Sequence, residues 1–301
     1  MIKTCSRSIG SISKAECFSK YGQIIALFLD QNKDGLSRED ALLLATWQAK
    51  IDAEDDVRMI VLNPDKPLNV TSTKEDNTFV EGNTGKKTRA KKGKFSLQLE
   101  YDDLTLCFAS SLQKLDGAKL YGYFITENGA IISDGDEINT TPVELQIYVG
   151  DPIPPESNSN VWTLKIDVEI VPTSNYFKVA ILPTDKTTDA WSPLDLEGIK
   201  TIKVENLVGD ATAGTLDFDV VGKCSGAEIS SFITETDWLV ALGSAISTYL
   251  TITAISNVDN HYTLSVTGLS AAEHLLWRKS NYDSTDKGFE TDFKYSVIPV
   301  A

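Results

Sequence analysis

The stretch GKFSLQLEY, Gly93 to Tyr101, alternates strictly. Phe95, Leu97 and Leu99 fall on one side of an extended chain, and Ser96, Gln98 and Glu100 on the other. A period of two marks a strand with one face on a core and the other in water. The same texture runs outward in both directions. VRMIVLN (57–63), PLNVTS (67–72) and NTFVE (77–81) precede it, and AKLYGYFIT (118–126), GAIISD (129–134), VELQIYVG (143–150) and NVWTLKIDVEIV (160–171) follow. One helix is expected among them. Asp103 opens it, Leu104, Leu106, Phe108, Leu112 and Leu115 recur on its inner side, and Asp116-Gly117 stops it.

Beyond PTDKTTDAWSP (183–193), read as a linker, the strand texture returns in IKTIKVENL (199–207), GTLDFDVVG (214–222), TYLTITAISN (248–257) and HYTLSVTGL (261–269). Polar turns separate these runs at the spacing of a small sandwich. The first 56 residues read differently. Cys17, Phe18, Tyr21, Ile24, Ile25 and Phe28 sit at helical spacing over Lys14–Leu29, with Ser13 as the cap. Ser37 caps a second helix over Ala41–Ile51, with Asp40 three residues on as a variant capping box. The expected fold is therefore mainly β. It has an N-terminal αα-hairpin (1–56), a sandwich- or barrel-like β domain with one flanking helix (57–188), and a C-terminal sandwich (189–301).

Between the two expected helices lies DQNKDG. Asp30, Asn32 and Asp34 occupy the places of the first three oxygen ligands of an EF-hand loop, and Gly35 that of its turn glycine. Position 12 from Asp30 is Ala41, where such a loop needs a bidentate Glu. The reading is an interhelical turn, in which Asp30 and Asn32 satisfy backbone donors. Weak calcium binding at Asp30, Asn32 and Asp34 is the open alternative; no other cofactor is expected.

The chain of 301 residues has a net charge of −15, which argues against nucleic-acid binding over its whole surface. The four cysteines, Cys5, Cys17, Cys107 and Cys224, form no CxxC pair, and there are two histidines, so a zinc site is not expected. The thiols read as free or buried, with a Cys5–Cys17 disulfide as the alternative. There is no GxSxG, no glycine-rich phosphate loop and no HExxH, and no enzymatic activity is expected. Asp217 and Asp219 alternate on one strand face, as solvated carboxylates do. The start of the chain lacks the apolar core of an export signal, and Ile24–Leu29 is too short to span a bilayer. A soluble protein made in a cytoplasm, with no membrane contact, is expected.

GNTGKKTRAKKGKF (82–95) stands out against this acidic background. Lys86, Lys87, Arg89, Lys91, Lys92 and Lys94 fall within nine residues, with no acid between them and no aromatic residue before Phe95. Stacking on single-stranded nucleic acid is therefore not expected. Flanking glycines make the run a loop or the tip of an extended hairpin. A basic arm on an acidic chain suggests docking on a neighbour's acidic surface.

The segment AISTYLTITAISNVDNHYTLSVTGLS (245–270) resembles the end of a bacterial Ig-like module, with Tyr262, Leu264, Val266 and Leu269 in the matching places. The domain before it resembles the tail tube subunits of tailed bacteriophages. It has a Lys/Gly loop before a strand, then one helix, DLTLCFASSLQKLDG (103–117), then paired strands. That resemblance implies homo-oligomeric stacked rings, loops reaching to adjacent subunits, an acidic bore through which DNA passes without specific binding, other virion proteins as partners, and residence in the virion. Another virion position (head decoration, portal-proximal or baseplate) is the alternative within that class. A carbohydrate- or surface-binding protein is the alternative outside it, with Trp162, Trp191, Trp238 and Trp277 as its candidate aromatics.

Overall fold

The computed structural model of the chain describes residues 2–4, 22–53, 58–62, 69–82, 85–102, 106–135, 138–154, 163–171, 179–183, 191–230, 238–243, 246, 248–279, 288–291 and 293–301. It is mainly β and divides into two compact units. Residues 1–51 and 55–197 form the first, and 198–301 with 52–54 the second.

In the first unit the strands are β1 (Ile2–Thr4), β2 (Ile24–Asp30), β3 (Leu36–Ser37), β4 (Ile60–Leu62), β5 (Asn69–Lys74), β6 (Thr78–Glu81), β7 (Lys87–Lys91), β8 (Phe95–Asp102), β9 (Lys119–Thr126), β10 (Ile131–Gly135), β11 (Asn139–Thr141), β12 (Val143–Val149), β13 (Thr163–Ile170) and β14 (Val179–Ile181). The helices are α1 (Leu44–Ile51) and α2 (Leu106–Gln113). An antiparallel ladder runs β4-β2-β9-β12-β13-β8-β5. Past the end of β12, β9 also pairs with β10, which leads to β14 and β1 and, through β11, to β3. Gln23, just before β2, donates its side-chain amide to the carbonyl of Val70 in β5 (3.3 Å). Since four strands separate β2 from β5 in the ladder, this bond curls the sheet back on itself. The expected alternation explains the enclosed core. Leu97, Leu99 and Tyr101 of β8, Leu164, Ile166, Val168 and Ile170 of β13, and Val143, Leu145 and Ile147 of β12 are all buried in one cluster. Helix α2 adds Leu112 to it.

The N-terminal αα-hairpin is not what forms. Ile24–Asp30, read as the end of the first helix, is strand β2; Lys14–Tyr21 lie outside the described residues. Helical spacing misled because every residue from Ala26 to Asp30 is buried, whichever face it lies on. Leu27 and Leu29 enter the curled core, whereas Phe28 faces away from it and meets Trp47 of α1 at 6.0 Å between ring centres. A strand covered on both faces loses the polar half of its pattern. The second helix forms in two pieces. Ser37 Oγ accepts from the Asp40 backbone N–H (3.1 Å) and donates to its carboxylate (2.7 Å), so both bonds run through the Ser37 hydroxyl and differ from the expected capping box. The 3₁₀ turn that follows, Asp40–Leu42, has Glu39 at its N-cap, not the expected Ser37, and no side-chain bond caps it; Leu43 is extended, and α1 starts after it.

Residues 1–51 are thus part of the first unit, through the β2–β9 and β2–β4 pairings. The end of the expected linker also belongs there. Trp191 donates its indole N–H to the carbonyl of Leu42 (2.9 Å) and is nearly buried.

The second unit contains β15 (Lys200–Asp210), β16 (Thr215–Gly222), β17 (Trp238–Leu242), β18 (Thr251–Val258), β19 (His261–Thr267), β20 (His274–Arg278), β21 (Phe289–Thr291) and β22 (Tyr295–Val297). One sheet runs β18-β19-β16-β15-β21, the other β17-β20-β22. Leu216, Phe218 and Val220 of β16 and Tyr262, Leu264 and Val266 of β19 share one core with Trp238, Val240 and Leu276 of the second sheet. Phe218 lies 4.8 Å from Trp238 and stacks on Tyr262 at 5.8 Å.

Candidate assembly surface and the Asp30 turn

Strands β5 and β8 pair from Asn69 opposite Glu100 to Lys74 opposite Phe95. The ladder then bends. The Glu75 N–H donates to the Lys94 carbonyl (2.9 Å), and the Gly93 N–H donates to the side-chain oxygen of Asn77 (2.9 Å). A Cβ at Gly93 would collide with the carbonyl oxygen of Glu75, so glycine alone allows the two chains this approach. Past the bend the chain continues as a separate two-stranded ribbon, β6–β7, with Thr78 opposite Lys91, Phe79 opposite Arg89, Val80 opposite Thr88 and Glu81 opposite Lys87. Its turn is held by the Gly85 N–H to Gly82 carbonyl bond (2.8 Å) and the Gly82 N–H to Lys86 carbonyl bond (3.0 Å). Every residue of both strands is exposed.

The structure separates the six cations. Lys86, Lys87, Arg89 and Lys91 stand on the ribbon, and none of them forms a salt bridge within the described residues. Lys92 lies at its base, half-buried. Lys94 reaches across the sheet surface to Glu169 of β13 at 3.1 Å. The hydrogen bond it donates to Glu169, and then the charge of Glu169, raise the Lys94 pKa above the usual lysine value. Lys94 therefore ties the base of the ribbon to the sheet, and the four cations on the ribbon face solvent.

The Asp30 turn holds a cation of its own. Asp30 ends β2 with its side chain 1% exposed. One carboxylate oxygen accepts the Asn32 N–H (2.8 Å), and the other takes the ammonium of Lys50 in α1 at 2.5 Å. The same ammonium reaches the Asp34 carbonyl at 3.5 Å. The Asp34 side chain is exposed, and Asn32 is half-buried. Lys50 thus sits where the first carboxylate of a calcium loop would meet its ion. Sequence reading missed it because twenty residues separate Lys50 from Asp30. Adding calcium or excess chelator is expected to leave the melting temperature unchanged. A rise of several degrees with calcium, lost in Asp34→Ala, would show that the turn rearranges around the ion.

Several polar side chains of the second unit bond to one another or to the backbone. Asp219 accepts from Asn206 (2.6 Å) and contacts His261 (2.7 Å); the Asn206 bond, then that of His261, hold its carboxyl below the usual range. Thr263 donates to Asp217. His274 is fully buried and bonds the Ala272 carbonyl. Among the described residues, no group of three or more His, Cys, Asp and Glu gathers in a metal-binding arrangement. Cys107 and Cys224 are each disulfide-bonded, in place of the expected thiols; Cys5 and Cys17 lie outside the described residues. Of the four candidate tryptophans, Trp191 and Trp238 are buried, Trp277 is half-exposed, and Trp162 lies outside the described residues. No described helix is long and apolar enough to cross a membrane.

No protein-family model matches the chain, and no curated protein matches its sequence.

Proposed function

We propose that this protein is a structural virion subunit without catalytic activity. Its first unit is a tail tube subunit that assembles into stacked rings around passing DNA, and its second is an Ig-like module carried on the assembly. The observation that supports this reading is the β6–β7 ribbon. Four solvated cations stand on a ribbon outside the main sheet of a chain with a net charge of −15. An isolated two-stranded ribbon is marginally stable in water and gains from a partner. Like charges along β7 repel one another, and an acidic neighbour offsets that repulsion. The curled sheet with its flanking helix α2 fits the same reading. Partners are further copies of the chain and other virion proteins.

The test is electron microscopy of the purified protein before and after charge reversal. Glu at Lys86, Lys87, Arg89 and Lys91 is expected to leave the circular dichroism spectrum unchanged and to abolish polymerisation. High salt weakens assembly of the native chain in the same direction, because exposed pairs of about 1 kcal/mol or less are screened. Native tubes from the reversed variant remove the ribbon from the mechanism. Tubes or rings, as opposed to isolated decorations, distinguish a tube subunit from a head-decoration, portal-proximal or baseplate protein.

One observation favours the surface-binding alternative. Trp277 is half-exposed, with Tyr249, 56% exposed, edge-on at 5.8 Å and Lys294 over its ring at 4.6 Å. Glycan-array binding by a protein that stays monomeric would favour that function.

A further inference from the structure

We infer that Phe79 is the anchor of the ribbon, and that it seats in an apolar socket with an acidic rim on a second copy of this chain. The inference rests on the assembly reading above and adds to it the apolar part of the contact. Cations alone do not account for the ribbon, because two of its four β6 residues, Phe79 and Val80, are 55% and 59% exposed. A register invisible in the sequence decides which charges stand beside each of them. Phe79 stands opposite Arg89, and the next pair on that face is Glu81 with Lys87. Val80 stands opposite Thr88 on the other face, since successive side chains alternate. The ribbon thus has one face that joins an aromatic ring to Arg89, Lys87 and Glu81, and another that joins Val80 to Thr88, Thr78 and Lys91.

An exposed aromatic ring opposite an arginine, on a ribbon whose charges are mostly positive, is the composition of an interface anchor: the ring supplies buried area, and the charges supply orientation and partner choice. The socket it requires is apolar at the centre and acidic at the rim. Charge complementarity points to this same chain as the partner, because its surface is rich in acids and includes apolar groups beside them. Tyr148, 40% exposed, faces Asp167 across β12 and β13, and Ile153, 50% exposed, follows Asp151.

The experiment measures, for the full-length chain, the concentration at which assemblies appear in sedimentation and electron microscopy. Four proteins are compared: native, Phe79→Ser, Phe79→Leu and Val80→Ser. Loss of an anchor is expected to raise that concentration about 30-fold for Phe79→Ser. Phe79→Leu, which keeps apolar bulk, should fall between native and Phe79→Ser. Val80→Ser, an equal disturbance on the opposite face, should stay within about threefold of native. If Phe79→Ser assembles at the native concentration while the charge-reversed chain fails, the anchor is overturned and the assembly reading stands. Equal losses in Phe79→Ser and Val80→Ser also overturn the anchor, because the ribbon as a whole would then be at fault. A native chain that stays monomeric at every concentration overturns both.

Discussion

Lys50→Met is expected to destabilise the first unit by about 3–5 kcal/mol, the usual cost of leaving a buried charge without its partner. Asp30 cannot turn to water. Its side chain is 1% exposed, one oxygen is held by the Asn32 N–H, and the other faces the gap that the ammonium leaves. The corresponding thermal transition should fall by about 6–20 °C, at about 2–4 °C per kcal/mol for a unit of this size. The informative comparison is the double variant Asp30→Asn with Lys50→Met. The side-chain amide introduced by Asp30→Asn still accepts the Asn32 N–H and carries no charge, so much of the loss should return. Calorimetry of the two variants decides the cause. Equal loss in both would assign the effect to the packed stem of Lys50 and not to the stranded carboxylate.

Trp47→Ala should cost a similar amount, about 3–5 kcal/mol, by a different mechanism. Trp47 is fully buried between the outer face of β2–β9 and the chain near Trp191. Its ring lies 4.9 Å from Tyr123, edge-on, 6.0 Å from Phe28 and 6.5 Å from Trp191. Its indole N–H donates to the Ala41 carbonyl (3.1 Å), which joins α1 to the 3₁₀ turn before it. Removal leaves a cavity and frees α1 from the sheet. Trp47→Phe keeps an aromatic ring without the donor and should lose distinctly less. Denaturant unfolding with near-ultraviolet circular dichroism reads both. A loss below about 1 kcal/mol for Trp47→Ala would show that α1 is not seated through this ring. Because Trp47 and Lys50 lie on one helix turn, their effects should not add.

These two residues also mark where sequence reasoning stopped. Alternation along β8 was legible because the strand has one wet face, and the structure buries Leu97 and Leu99 and half-buries Phe95; the runs that form β12, β13, β16 and β19 were legible as strands. Helix α2 and its glycine stop, Gly117 at φ +71°, were legible because helical period and stop signal are local properties. That Ser37 and Asp40 would bond each other was legible for the same reason, although the helical turn beside them starts from Glu39 and is shorter than the spacing suggested. The basic cluster could be read as composition.

What the chain alone determined, then, is each feature whose cause lies within a few residues: period, caps, turns and local charge. The tertiary structure decided what depends on distant neighbours. IIALFLD became β2 because β9 and β4 flank it and α1 covers its back, and a continuous apolar run carries no period that separates strand from helix. Asp30 met Lys50, not an ion, because α1 folds back over the end of β2. Phe79 came to stand opposite Arg89 because of the bulge between Thr78 and Phe79. A slip of one residue would have turned it to the other face, and pairing across a turn, not local composition, holds that register.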